Sequence, residues 1–148
     1  MALDYDLRVC TSLDVSQIRN LLPTLAAGLK TSQASGTIVG TGVVISVSPE
    51  SELGKQITKE NYGLESTALV SFRLDKFDGF EEGLKTTVKI SLSLLRAAEC
   101  DGLLLSNDIP VLMRKEGKIV VNSGPGFWPG LPLLVGQPHT IASLSAKK

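Results

Sequence analysis

Residues 66 to 98 read STALVSFRLDKFDGFEEGLKTTVKISLSLLRAA, and this stretch decides the fold class. Ala68, Val70, Phe72 and Leu74 fall on one side of an alternating run, with Arg73 and Asp75 on the other. A period of two is that of a strand with one face buried. Asp75, Lys76, Phe77, Asp78 and Gly79 follow as turn chemistry. Phe80, Leu84, Val88, Leu92 and Leu95 then trace a helical stripe toward Ala98, the best amphipathic pattern in the chain.

The same two periods extend outward. From Leu3 to Thr11, Leu3, Tyr5, Leu7 and Val9 alternate with Asp4, Asp6, Arg8 and Cys10, which predicts another half-buried strand. Asp14 and Gln17 have capping-box spacing ahead of Val15, Ile18, Leu21, Leu22, Leu25 and Leu29 at helical intervals, and Pro23 predicts a kink or break there. Residues 37–48, rich in Val43, Val44, Ile45 and Val47, read as a strand buried on much of both faces, with Gly40 and Gly42 marking a bulge or bend. Residues 49–63 are polar without a clean period and read as a surface connection that has room for one helical turn. Short runs at 103–106, 110–115 and 118–122, separated by Asn107-Asp108 and Glu116-Gly117, predict two tight hairpins.

The expected fold is therefore α+β: a mostly antiparallel sheet of about six strands with two helices packed on one face. A chain of 148 residues fits one domain, 1–148, able to bury roughly 70% of its unfolded surface without disulfides or metal. Within it, 123–148 is a tail in which Gly124, Pro125, Gly126, Pro129, Gly130, Pro132, Gly136 and Pro138 oppose regular structure.

Composition narrows the function. Fifteen Lys and Arg balance fifteen Asp and Glu, which leaves no basic field for a phosphate backbone and disfavours nucleic acid as a partner. Cys10 and Cys100 lack CxxC spacing and read as reduced thiols, pointing to the cytoplasm. The opening MALDYDLRVC lacks the charged start and apolar run of a secretory signal, and no apolar run approaches the roughly 20 residues of a membrane span. His139 is the sole histidine, so a triad, an ordinary zinc site or a histidine acid–base pair would depend on that one imidazole in the tail. No metal or cofactor is expected.

Few residues are placed for chemistry. Gly40-Thr41-Gly42 runs on into Val43-Val44-Ile45 rather than into a helix, which argues against a phosphate loop. Cys10, at a strand exit before a helix N-terminus, could be an activated thiol, although a structural thiol is the simpler reading. Asp75, Asp78, Glu81 and Glu82 crowd the start of the second helix. Capping and the helix dipole account for Asp78 and the two glutamates, and an acidic corner that meets a partner is the functional alternative. Asp4 and Asp6 flank Arg8 on the exposed side of the first strand, a solvated face or a recognition edge. Phe127 and Trp128 either seal the core or form an exposed anchor.

The opening Met1 to Asp14, the strand end Phe72-Arg73-Leu74-Asp75-Lys76-Phe77, and Leu103 to Asn107 followed by Val111-Leu112-Met113-Arg114 together resemble SitI-type immunity proteins of the third class. These belong to toxin–immunity pairs of myxobacterial swarming inhibition. The similarity runs over about 2–122 and rests on strand and turn patterns rather than a catalytic signature. What it implies is a non-enzymatic cytoplasmic protein that neutralises the C-terminal domain of a cognate toxin by occlusion. The toxin-binding candidates, taken from the residues and not from the family, are Asp4, Asp6, Asp75, Asp78, Glu81, Glu82, Phe127 and Trp128. Two other readings stand beside it. One is a small-molecule-binding domain or hydrolase that uses Cys10 or a cavity between sheet and helices, and the other is a self-associating module joined by an exposed strand edge or the apolar tail.

Overall fold

The computed structural model describes residues 2–32, 36–75, 77–107, 109–122 and 140–142. Nine strands and three helices follow in the order β1 (Ala2–Cys10), α1 (Val15–Leu25), β2 (Lys30–Thr31), β3 (Ile38–Gly40), β4 (Val43–Pro49), α2 (Glu52–Tyr62), β5 (Ala68–Asp75), α3 (Phe80–Ala97), β6 (Asp101–Ser106), β7 (Ile109–Lys115), β8 (Lys118–Asn122) and β9 (Thr140–Ala142). All nine strands join one sheet in the order β2-β3-β4-β5-β1-β6-β7-β8-β9, antiparallel throughout except where β9 runs parallel to β8. The fold is α+β as expected, with more strands and one more helix than the sequence suggested.

The alternating strands hold their pattern. Leu7 and Val9 of β1, Val70, Phe72 and Leu74 of β5, and Ile45 of β4 are fully buried on one face. There they meet Ile18 and Leu22 of α1 and Leu84, Val88, Leu94 and Leu95 of α3 in the main core. Helix α1 begins with the capping box, Asp14 Oδ1 accepting from Gln17 N at 2.8 Å and Gln17 Oε1 from Asp14 N at 2.9 Å. It runs through Pro23 and stops at Leu25, because a proline in the last turn removes one donor just before the helix ends.

Three expectations need correction. Residues 37–48 are not one strand with a bulge but the hairpin β3–β4, turned at Thr41-Gly42 with Gly42 at φ +73°. Only one of its faces is buried: Val43, Ile45 and Val47 point inward, while Val44, Ser46 and Ser48 point out. The polar segment 49–63 holds an 11-residue helix, α2, capped by Ser51 accepting from Gly54 N at 3.0 Å and closed by Gly63 in the left-handed region. This third helix does not join the other two. Gly54 packs against Glu50 and the Arg8 guanidinium, and Tyr62 and Leu64 join Leu103, Leu105, Cys10 and Met113 in a second, smaller cluster. Arg8 pairs with Leu103 in register and alternates with core-facing Leu7 and Val9, so α2 and this cluster lie on the sheet face opposite α1 and α3.

The two tight hairpins form as expected, β7–β8 turning on Glu116 (φ 54°) and Gly117 (φ 80°), the pair of positive φ values that a type I′ turn requires. Thr140–Ala142, inside the segment expected to be irregular, forms the edge strand β9. Phe127, Trp128 and His139 lie outside the described residues.

Candidate functional site

Beyond the reach of α2, the second face of the sheet carries a grid of polar side chains. Register sets it: Val44 lies beside Arg73 and Arg73 beside Asp4, while Ser46 lies beside Ser71 and Ser71 beside Asp6. Ser71 Oγ donates to Asp6 Oδ1 at 3.1 Å, which holds that half-buried carboxylate against the sheet. Asp4 and Arg73 are exposed, and neither enters a salt bridge among the described residues.

At one end of this face the β3–β4 turn, the end of β5 and the lead into α3 enclose an open cleft of about 650 Å³ lined by Val44, Arg73, Asp75, Phe77 and Asp78. Glycines make the close approach possible. A Cβ on Gly42 would strike the Gly79 carbonyl, one on Gly83 would lie 2.5 Å from the Gly42 carbonyl oxygen, and that same oxygen accepts from Asp75 N at 3.0 Å. The glycines thus serve backbone packing, in keeping with the argument against a phosphate loop.

The acidic corner divides on inspection. Asp75 Oδ1 accepts from Phe77 N at 2.8 Å and Asp78 N at 3.1 Å, so it closes the turn, and those two donors hold its carboxyl below the ordinary range. Asp78 does not cap α3 as the sequence suggested. The N-cap is Gly79, at φ 74° and without a side-chain bond, which leaves the Asp78 carboxylate exposed to solvent. Glu81 and Glu82 are exposed in the first turn, where the helix dipole favours them, and Glu82 forms a 3.6 Å pair with Lys85. Asp75 and Asp78 thus meet at one cleft, Glu81 and Glu82 follow them on α3, Asp4 stands beside Arg73, and Asp6 lies further in.

Sequence reasoning missed Phe77. It was read only as part of a turn, yet its ring is 83% exposed, far more than any other aromatic among the described residues. The available signal was an aromatic residue inside a turn, a position that buries nothing locally.

The thiol alternative fares poorly. Cys10 borders a cleft of about 480 Å³ with Lys59, Gly63, Leu64, Glu65 and Asp101. Burial, with further contributions from Asp101 and Cys100 that outweigh an opposing backbone hydrogen bond at Glu65, pushes its pKa up to about 12, the reverse of nucleophile activation. Among the described residues, no group of three or more His, Cys, Asp or Glu is arranged to hold a metal ion, and no helix is long and apolar enough to cross a membrane.

No curated protein and no solved structure matches the chain. The SitI3-like family model matches residues 3–132, from the first strand past the last hairpin and through Phe127 and Trp128. Over that span the match takes in the open sheet face, the cleft and the acidic corner, and the chain belongs to the SitI3-like family of SitI-type immunity proteins.

Proposed function

We propose that this chain is an immunity protein that binds and neutralises the C-terminal domain of a cognate bacterial toxin by occlusion, without catalysis, as a single cytoplasmic domain. Family membership over residues 3–132 is the observation that carries the reading. The geometry supports it in two ways. Inhibition by occlusion needs a rigid scaffold and an exposed complementary surface rather than a reactive group, and the sheet offers a polar face ending in a cleft with carboxylates at its rim. The thiol on which a hydrolase would depend is held protonated.

The contact surface in this proposal comprises Asp75, Asp78, Glu81 and Glu82 at the corner and Asp4 and Asp6 on the adjoining strand, with Phe127 and Trp128 as further candidates. The test is co-expression in a sensitive host with the toxin domain encoded beside this chain, followed by titration calorimetry of the purified pair. Restored growth and a tight one-to-one complex are the expected results. Continued killing with no heat of binding would dispose of the proposal.

A further inference from the structure

Phe77 stands where a side chain of its kind is costly to leave exposed. Burying its ring would be favourable, yet its side chain is 83% exposed beside the cleft. The turn that carries it is fixed at both ends. Asp75 Oδ1 holds the amides of Phe77 and Asp78, and Gly79 packs backbone to backbone against Gly42. Across the cleft Val44 is 43% exposed, and Val39, its cross-strand neighbour, is equally so. The result is a small apolar surface centred on an exposed ring whose backbone is held in place, so that the chain segment carrying it need not be ordered on binding.

Charge around this surface selects its occupant. On the helix side the carboxylates of Asp78 and Glu81 are exposed and enter no salt bridge among the described residues, and Glu82 engages only a 3.6 Å surface pair. On the sheet side stands the exposed guanidinium of Arg73, which enters no salt bridge among the described residues, with Asp4 next to it. Among the described residues carboxylates outnumber cations on this rim, so the complementary surface is basic.

Building on the immunity reading, we propose that Phe77 is the anchor of the toxin complex: its ring enters an apolar recess on the partner whose rim carries Lys or Arg side chains facing Asp78 and Glu81. The partner is thus a basic protein surface, engaged by an aromatic plug within an acidic collar. Association quickens at low ionic strength through the collar, and the complex persists through the plug.

The experiment titrates the purified toxin domain encoded beside this chain with four proteins: wild type, Phe77→Ala, the pair Asp78→Lys with Glu81→Lys, and Leu53→Ala. Leu53 is a control, 66% exposed on α2 and on a different surface. Phe77→Ala is expected to weaken binding roughly thirtyfold or more. The charge reversal is expected to slow association about tenfold at low salt, the difference narrowing as salt is raised. Leu53→Ala should bind as wild type does. All four substituted positions are exposed, and matching thermal melts would show that each variant is folded. Wild-type binding with Phe77→Ala unchanged overturns this inference and leaves the immunity reading standing. Absence of wild-type binding and protection removes both.

Discussion

The two faces of the sheet are built by opposite means. Against α1 and α3, β1, β4 and β5 contribute Leu7, Val9, Ile45, Val70, Phe72 and Leu74, all fully buried, and this face is closed by aliphatic packing. On the other side the same strands present Asp4, Asp6, Arg8, Ser46, Ser71 and Arg73, and among the described residues only one end is covered, by α2 and the small cluster of Leu64, Leu103 and Leu105. Strand alternation makes both faces from one sequence, so stability and recognition are encoded at interleaved positions. Most of the folding free energy then resides on the helical face, leaving the open face able to change its side chains at small cost to the fold.

The sharpest way to break this comparison is to truncate one residue on each face of the same strand pair. Phe72→Ala, in the main core, should cost about 3–5 kcal/mol through lost transfer energy and the cavity left behind. Ser46→Ala, one cross-strand row away and exposed, should change stability by no more than ~0.5 kcal/mol. Urea denaturation read by tryptophan fluorescence and circular dichroism measures both. A Ser46→Ala loss approaching that of Phe72→Ala would mean that the second face is covered after all.

Where α2 covers the second face, charge joins apolar packing in carrying stability. Arg8 Nη1 donates to Glu50 Oε1 at 2.6 Å, and Glu50 is satisfied further by Ser66 Oγ at 2.7 Å and Ser51 N at 3.2 Å. The Glu50 side chain is 1% exposed and that of Arg8 22%, so removing the carboxylate strands a partly buried cation and two donors. Glu50→Ala is expected to cost about 2–3 kcal/mol, near or just below the range for breaking a buried pair because Arg8 still reaches water. Adding Arg8→Met should recover part of that loss. A double mutant no better than Glu50→Ala alone would show the loss to be one of packing around Gly54 rather than of charge.

The contrast also explains what the sequence revealed. β1, β5 and α3 were legible because their buried residues are aliphatic or aromatic and fall at periods of two or near four. The helix α2 was not, because the residues it buries are Gly54 and Thr58 while Leu53 and Ile57 face outward, so apolar periodicity pointed to no face. Its caps, Ser51 and Gly63, were the readable signal. The β3–β4 hairpin was hidden because Gly42, a turn residue at φ +73°, sits inside an apolar run that looks continuous. At the site, carboxylate positions were visible and Asp75 closes the turn it was read into, but the cap assigned to Asp78 falls to Gly79. The exposure of Phe77 depends on which way a tertiary turn points, which no local pattern records.

The smallest effect separates a binding surface from a catalytic one. Cys10 lies on the second face beside Leu64 and Tyr62, and its thiol is pushed from about 9 in the unfolded chain up to about 12, first by burial and then by neighbouring negative charge. Three pKa units make its thiolate fraction at pH 8 about a thousandfold smaller than that of an ordinary cysteine, and alkylation by iodoacetamide should slow accordingly. Cys100 is raised as well, again chiefly by burial, so it contributes no fast background. Because the native state holds the Cys10 proton more tightly, the stability linked to it is intact below pH 9 and declines as pH rises from about 9 toward 12. Alkylation of native protein followed from pH 7 to 10, with urea-unfolded protein as reference, measures the first effect, and melting temperature over the same range measures the second. Rapid native alkylation that levels off near pH 8 would return Cys10 to the list of nucleophiles; a slow reaction still rising at pH 10 leaves the second face with a protonated thiol and binding as its work.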